Sequence, residues 1–225
     1  MTFPARPADH FAHVRTWVFD LDNTLYPPAM RLFDQIEVRM TDWVMEKLTL
    51  GRTEADRLRA TYWRDHGTTL AGLMARHDID PAPFLAYVHD LDFSVLVPEP
   101  ALAAAIARLP GRRIVYTNAD APYAHRVLAA RGLTGLFDAV YGVEHAGYRP
   151  KPERAAFETV FALDGLDPAQ AAMFEDDPRN LAVPHAMGLR TVLVTPIELS
   201  ARHIHHHTDD LAGFLTRLLP DAATA

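Results

Sequence analysis

Short apolar segments that stop abruptly at polar residues are the feature that most constrains the fold of this chain. The segment Thr16–Phe19 is bulky and apolar and ends at Asp20. Segments 114–116, 172–174 and 191–194 have the same character, and polar residues follow the first two of these at once. Such runs, bounded by polar residues, are typical of buried strands. The sequence therefore predicts four strands in the interior of the protein.

Helical patterns separate the predicted strands. They cover residues 122–131, closed by Gly132, residues 152–161, which begin at a proline, and residues 178–187, closed by Gly188. A proline at the start and a glycine after the end are common helix boundaries. Strands that alternate with helices form a parallel sheet covered on both faces, with functional residues at the carboxyl ends of the strands. We therefore expect an α/β fold.

Residues 29–97 break this alternation, because they show helical periodicity and no strand pattern. One stripe has apolar residues at three- and four-residue spacing: Phe33, Ile36, Met40, Trp43, Val44 and Leu48. We interpret this stripe as the core of a helical bundle rather than as a ligand contact. Stiff proline-containing connectors at 27–28 and 98–100 bracket the block. The sequence thus predicts a core of residues 14–28 and 98–218, and a helical cap of residues 29–97.

Composition excludes several functional classes. The 225 residues include 29 acidic and 22 basic side chains, and the net charge of −7 does not attract a nucleic-acid polymer. The chain has no cysteine, which excludes disulfides, thiolate nucleophiles and cysteine-ligated zinc. No signal-peptide pattern is present, and no segment approaches the roughly 18 apolar residues of a membrane span. We therefore expect a cytoplasmic protein that does not bind a membrane.

Asp20 and Asp22 form the first candidate site. They follow the first predicted strand, and alternation along the chain directs both side chains to the same side of the sheet's open end. Two carboxylates this close repel each other, so a cation must lie nearby or one carboxylate must hold a proton. An ionised carboxylate is a nucleophile, and a protonated one is a general acid. The pattern favours a catalytic pair, although a helix cap or a calcium-loop fragment has the same spacing.

Thr117, Asn118 and Lys151 are candidate ligands for an anion. Thr117 ends the second predicted strand, where a hydroxyl and a backbone N–H can hold phosphate oxygens. The same dipeptide is also common in turns. Lys151 lies between Pro150 and Pro152, and the two rings restrict the backbone that aims its ammonium group. The alternative is an exposed loop lysine.

Three consecutive carboxylates, those of Glu175, Asp176 and Asp177, follow the strand predicted at 172–174. Gathering three such charges at a strand end is costly unless a divalent cation is bound there. Hard oxygen ligands without cysteine or a paired-histidine motif favour Mg²⁺ over zinc. The alternative is a solvated acidic N-cap ahead of Pro178.

These groups occur in the order of the four motifs of the haloacid dehalogenase-like hydrolase superfamily, which the chain resembles from about residue 17 to residue 194. The matching segments are Asp20-Leu21-Asp22-Asn23-Thr24, Thr117-Asn118, Lys151-Pro152 and Glu175-Asp176-Asp177. The resemblance implies a Rossmann-like parallel-sheet core with an inserted all-helical cap. It also implies a Mg²⁺-dependent phosphatase that acts on a small phosphomonoester.

The resemblance assigns a role to each residue of the first three motifs. It implies that Asp20 attacks phosphorus and also binds Mg²⁺. It implies that Asp22 protonates the leaving alkoxide, then activates water, and binds the metal through its backbone carbonyl. By the same likeness, Thr117 and the Asn118 N–H hold phosphate oxygens, and Lys151 neutralises charge between the nucleophile and the phosphoryl group.

For the last motif, the resemblance implies that Asp176 is the carboxylate ligand and that Glu175 reaches the metal through water. Thr24, Asp177 and Asn180 are expected to support the site. Many relatives carry a small polar residue at the position of Asp177 and an acidic residue at that of Asn180. The sequence therefore leaves open whether Asp176 or Asp177 is the ligand.

A narrower likeness is to the pyrimidine 5′-nucleotidase branch of the superfamily. It is carried by residues 19–27, 67–70 and 174–181, and it implies a nucleoside monophosphate such as UMP or CMP as substrate. Tyr26 and Gly67-Thr68-Thr69 are candidate contacts for the base or ribose. Alternatively, Tyr26 fills the hinge and the Gly-Thr-Thr run caps a helix.

Other functions use similar residues. A phosphatase or mutase that acts on a phosphosugar or phosphoglycolate also retains both aspartates, whereas a dehalogenase protonates no leaving alkoxide, so Asp22 argues against it. A phospho-acceptor signalling domain carries its acidic pair ahead of a separate acceptor aspartate. Here the acidic cluster comes last, and a helical block of about 70 residues interrupts the first crossover, which is too long for an ordinary loop.

The histidine-rich segment 203–207 resembles a metal-binding tract or a purification tag. It is interrupted by Ile204 and is followed by a helix-start pattern at 208–211. We interpret the segment as a loop.

Overall fold

A six-stranded, all-parallel sheet forms the centre of the computed structural model, which describes residues 7–218. Its strands are β1 (Thr16–Phe19), β2 (Arg112–Tyr116), β3 (Ala139–Tyr141), β4 (Ala171–Glu175), β5 (Arg190–Val194) and β6 (His206–Thr208). Their order across the sheet is β3-β2-β1-β4-β5-β6. The α-helices that accompany the sheet are α5 (Pro100–Ala107), α6 (Ala121–Ala130), α7 (Arg154–Asp164), α8 (Ala182–Met187) and α9 (Leu211–Leu218).

Strand β1 is buried on both faces, as its bulky apolar sequence predicts. Alternation sends Val18 to one face of the sheet, where it packs in a cluster with residues of β2 and α7. Trp17 and Phe19 point to the other face, and the ring of Phe19 stacks on that of Phe174 in β4 at 4.7 Å. These contacts hold the carboxyl end of β1 at the middle of the sheet.

The segment between β1 and α5 is helical and contains no strand among its described residues. It comprises α1 (Leu32–Leu48), α2 (Arg52–His66), α3 (Thr69–His77) and α4 (Pro81–Val88). Thr68 and Asp80 cap the third and fourth of these helices by accepting hydrogen bonds from backbone N–H groups. Trp43 of α1 meets Phe84 of α4 edge to face at 5.1 Å, so the apolar stripe does form a bundle core.

The predicted fold class is confirmed, and the four predicted strands are present at their predicted positions. The boundaries chosen for the core (14–28 and 98–218) and the cap (29–97) stay predictions. The helix predicted at 178–187 begins as a 3-10 turn, Pro178–Leu181, before α8. Among the residues that the structure describes, no helix has the length and hydropathy of a membrane span.

Two strands were not predicted. Strand β3 forms one edge of the sheet, and the histidine-rich segment interpreted as a loop contributes β6 at the other. That interpretation is wrong for His206 and His207, which pair with β5 in parallel register. The helix-start pattern at 208–211 is confirmed, since α9 begins at Leu211.

Candidate active site

The predicted site residues meet at the carboxyl edge of the sheet. Asp20 follows β1, Thr117 follows β2, Asp176 follows β4, and Lys151 lies just before α7. Because β1 lies between β2 and β4, the turn after it is flanked by the other two. A cavity of about 580 Å³ lies between this edge and the cap helices. Every residue predicted for catalysis, phosphate binding or the metal site lines it except Thr24.

Lys151 is buried, so the alternative of an exposed loop lysine is wrong. Its Nζ donates to Asp20 Oδ1 at 2.7 Å, to Glu175 Oε2 at 2.6 Å and to the Tyr116 carbonyl at 3.1 Å. Burial opposes the charge on the ammonium group, but Asp20 and Glu175 together raise its pKa above the ordinary value. Lys151 is therefore a permanent positive charge between two carboxylates.

Asn118 holds the backbone of Lys151 in place, a role that the sequence did not predict. Its Oδ1 accepts from the Lys151 N–H at 2.8 Å, and its Nδ2 donates to the Lys151 carbonyl at 3.1 Å. Thr117 is buried next to it, and its Oγ1 accepts from the Ala119 N–H at 3.0 Å. The hydroxyl hydrogen of Thr117 is left to donate to an anion in the cavity.

The carboxyl groups of Asp20 and Asp176 are strongly perturbed by their surroundings. Burial, followed by repulsion from Glu175, raises the pKa of Asp20 to about 7 against the attraction of Lys151. Burial and the charges of Glu175 and Asp20 raise the pKa of Asp176 to about 10. One lysine does not compensate three clustered carboxyl groups, so the site has a deficit of positive charge.

A divalent cation fits this deficit. Oxygen atoms of Asp20, Glu175 and Asp176 lie within 4.8 Å of one another, and all three donors are hard carboxylates. Asn180 is buried beside them, and its Oδ1 atom has no hydrogen-bond partner within residues 7–218. Thr24 supports the group from behind, because its hydroxyl donates to Asp20 Oδ2 at 3.2 Å.

Asp177 does not belong to this group of carboxylates. Its Oδ1 accepts from the Arg179 N–H at 2.9 Å and so caps the 3-10 turn, while its Oδ2 pairs with the Arg179 guanidinium at 2.6 Å. The N-cap alternative is therefore correct for Asp177. It does not apply to Asp176, which lies with Asp20 and Glu175.

Asp22 is held by two tyrosines. Its Oδ1 accepts from the Tyr26 hydroxyl at 2.7 Å and from the Tyr123 hydroxyl at 2.6 Å. Burial raises the pKa of Asp22, and the hydrogen bonds from Tyr123 and Tyr26 oppose this shift.

Tyr26 is buried and does not line the cavity, so its predicted contact with a base or ribose is wrong. The alternative, in which Tyr26 fills the hinge, describes its position.

The cap side of the cavity combines an apolar wall with a few charges. The apolar lining residues of the cap are Phe33, Ile36, Met40, Ala60, Trp63, Leu70, Phe84, Leu85 and Val88. Three residues of the stripe interpreted as bundle core thus also face the cavity. Thr68 accepts from the Ala71 N–H at 3.1 Å, so the Gly-Thr-Thr run is a helix cap that also lines the site. The Arg179 guanidinium lies 3.5 Å from the centre of the Trp63 ring, a contact between the core and the cap.

The fold and the site define a class of enzyme: a Rossmann-like core whose carboxyl edge gathers aspartates and a buried lysine beneath a helical insert. Within that class, the chain belongs to the haloacid dehalogenase-like hydrolase family, whose sequence profile matches residues 14–188.

Two relatives and one solved structure illustrate the likeness. The chain is 26% identical over 200 residues to Phosphate metabolism protein 8 of Saccharomyces cerevisiae, covering 80% of this chain and 61% of that protein. It therefore spans about three fifths of that relative's length. It is 26% identical over 190 residues to Validoxylamine A 7′-phosphate phosphatase of Streptomyces hygroscopicus subsp. limoneus, covering 79% of this chain and 84% of that one.

The structure of CbbY from Rhodobacter sphaeroides in complex with phosphate superposes with a TM-score of 0.61 at 18% identity, over 91% of this chain and 99% of that one. At this identity the superposition shows the shared fold.

Proposed function

We propose that the protein is a Mg²⁺-dependent phosphomonoester hydrolase that forms a phospho-aspartate on Asp20. The observation that carries the proposal is the placement of Asp22 in the same cavity as the Asp20–Lys151 ion pair. A second carboxyl group at this point supplies the proton that a leaving alkoxide requires. Of the relatives, Validoxylamine A 7′-phosphate phosphatase is named as a phosphatase, which supports the same reaction class.

The reaction divides into two half-reactions. In the first, an Asp20 carboxylate oxygen attacks phosphorus, the bond to the leaving oxygen breaks, and protonated Asp22 gives its proton to the alkoxide. In the second, Asp22 takes a proton from water, the resulting hydroxide attacks phosphorus, and the bond from phosphorus to the Asp20 oxygen breaks, which releases inorganic phosphate and restores the carboxylate. Asp22 ends protonated as it began. The pKa of Asp22, which burial raises, suits a group that starts the cycle as an acid.

The other residues bind the phosphoryl group and balance its charge. Lys151 faces Asp20 at 2.7 Å, where it limits the repulsion between the nucleophile and an incoming dianion. The Thr117 hydroxyl and the Asn118 N–H would hold phosphate oxygens. Asp20, Asp176 and the Asp22 carbonyl would hold Mg²⁺, with Glu175 and Asn180 near it. When bound, Mg²⁺ supplies the positive charge that the cluster lacks.

Binding of Mg²⁺ should release protons and tighten as the pH rises. The pKa values of Asp20, about 7, and Asp176, about 10, both lie above the ordinary value, so the metal-free protein holds protons that the metal must displace. We expect release of about one proton per Mg²⁺ at pH 8 and nearly two at pH 6, with affinity rising about tenfold per pH unit near pH 8. Calorimetry in buffers of different ionisation enthalpy measures this number. Binding without proton release would contradict the assignment.

The proposed substrate is a pyrimidine nucleoside 5′-monophosphate. A cavity of about 580 Å³ has room for a nucleoside beyond the phosphoryl group, and its cap wall offers the aromatic side chains of Phe33, Trp63 and Phe84 to a base. The phosphoryl site near Lys151 is common to all monophosphates. Selection among leaving groups would therefore depend on the cap wall.

We expect UMP and CMP to be hydrolysed with a kcat/KM about ten- to a few-hundredfold above those of AMP and GMP, since exclusion by shape yields discrimination of this order. A phosphate-release screen over the four monophosphates measures it, with ribose 5-phosphate as the control that lacks a base. Faster turnover of the purine nucleotides would reject the nucleotidase assignment and leave the phosphatase mechanism intact.

A phosphosugar or phosphoglycolate is the second candidate substrate. Validoxylamine A 7′-phosphate phosphatase, 26% identical to this chain, is named for a substrate that is not a nucleotide. Including hexose phosphates and phosphoglycolate in the same screen separates the two candidates. Formation of an isomeric phosphosugar instead of free phosphate would indicate a mutase.

A further inference from the structure

Tyr26 and Tyr123 reach the same oxygen atom of Asp22 from two different parts of the chain. Tyr26 lies four residues after Asp22, whereas Tyr123 lies in the first turn of α6, 101 positions away. Both side chains are almost completely buried. Neither residue belongs to the four motifs, so their convergence on one carboxylate oxygen needs its own explanation.

The two phenols leave only one oxygen of Asp22 for chemistry. Each hydroxyl donates one hydrogen, and both are directed at Oδ1, at 2.7 and 2.6 Å. Oδ2 accepts no hydrogen bond from the residues that the structure describes, and Asp22 lines the cavity. Oδ2 is therefore the oxygen that is available to a leaving group or a water molecule.

Tyr123 is itself fixed by its neighbours. Its ring stacks on that of His89, at the end of α4, with 4.3 Å between ring centres. His89 Nδ1 lies 3.1 Å from Asp120 Oδ1, which also accepts from the Tyr123 N–H at 2.9 Å. Arg126 donates to the His89 carbonyl at 2.7 Å. These contacts leave the Tyr123 hydroxyl little freedom to move away from Asp22.

We propose that Tyr26 and Tyr123 are positioning residues that hold Asp22 with Oδ2 directed at the leaving-group oxygen. The inference rests on the proposed acid–base role of Asp22. Transfer of a proton needs a donor within hydrogen-bond reach of the reacting oxygen. A carboxyl group restrained at Oδ1 keeps Oδ2 at that point through both half-reactions, so the restraint contributes to protonation of poor leaving groups.

The test compares two leaving groups in Tyr→Phe variants, which lose a hydroxyl and keep the ring. Hydrolysis of UMP expels the uridine 5′-oxygen as an alkoxide, which needs the proton, whereas p-nitrophenyl phosphate expels p-nitrophenolate, a stable anion that does not. For Tyr123→Phe we expect kcat/KM to fall about 10- to 100-fold with UMP and less than about threefold with p-nitrophenyl phosphate. Tyr26→Phe should show the same selectivity, and the double variant should increase it.

Tyr141→Phe is the matched control, because the Tyr141 hydroxyl also donates to a carboxylate, that of Asp164, at 3.0 Å and away from the cavity. It should alter kcat/KM equally for both substrates. For each Tyr26 or Tyr123 variant that folds, the fold-loss of kcat/KM with UMP is divided by the fold-loss with p-nitrophenyl phosphate. A ratio below about three would overturn the inference. If the wild-type protein releases phosphate from no monoester, the proposed function fails instead. If UMP alone is inert, the monoester with the best alkoxide turnover in the screen replaces it.

Discussion

Asp20→Asn should lower kcat by about 10⁴-fold or more, the scale of effect seen when a covalent nucleophile is removed. An amide has no anionic oxygen with which to attack phosphorus. The substitution is nearly isosteric, and the backbone of residue 20 is held by its N–H bond to the Phe174 carbonyl at 2.9 Å. Lys151 keeps Glu175 as an ionic partner at 2.6 Å. The variant should therefore fold normally and remain inactive.

Steady-state kinetics and acid-quench trapping together measure this effect. The variant should form no acid-stable phosphoprotein from p-nitrophenyl phosphate. Asp22→Asn is the informative control, because it retains the nucleophile and loses the base that activates water, so phosphoprotein should accumulate. If Asp20→Asn kept more than about a tenth of the wild-type kcat, with contaminating phosphatase excluded, Asp20 would not be the nucleophile.

The sequence predicted the centre of the sheet better than its edges. Strand β1 is recognisable because both of its faces are buried, which requires an unbroken apolar run. Strands β3 and β6 are each three residues long and only partly buried, and β6 contains two histidines. Short edge strands of this kind form because they pair with a neighbouring strand. The local sequence does not show which segment will be next to it.

The location of the site residues at one edge of the sheet was predictable, because the carboxyl ends of neighbouring parallel strands converge whatever the details of packing. The hydrogen-bond and ionic partners of these residues were not predictable. Tyr123 looks like any apolar position of an amphipathic helix, and its hydrogen bond to Asp22 spans 101 positions. The burial of Lys151 was not predictable from its neighbours either, since nothing near it in the sequence indicates that it pairs with Asp20 and Glu175.

The acidic cluster of the last motif provides the second large effect. Chelation by EDTA should abolish activity, Mg²⁺ should restore it, and Ca²⁺ should support it poorly because calcium prefers more ligands and looser geometry. Asp176→Asn should weaken Mg²⁺ binding by more than about 100-fold, because Asp176 supplies one of the three carboxylates that lie within 4.8 Å of one another. The loss of Mg²⁺ affinity can be measured in two independent ways: by the dependence of activity on Mg²⁺ concentration, and by calorimetric titration of the metal-free protein with Mg²⁺.

Asp177→Asn is the matched control for that loss, since the same chemical change is made one residue along the chain. Asp177 uses its oxygens to cap the Arg179 N–H and to pair with the Arg179 guanidinium, and asparagine caps a helix start as well as aspartate does. Mg²⁺ affinity should therefore change by less than about tenfold. The opposite ranking of the two variants would mean that the metal is bound by Asp177, and that Asp176, whose pKa burial and its acidic neighbours raise to about 10, keeps its proton throughout the reaction.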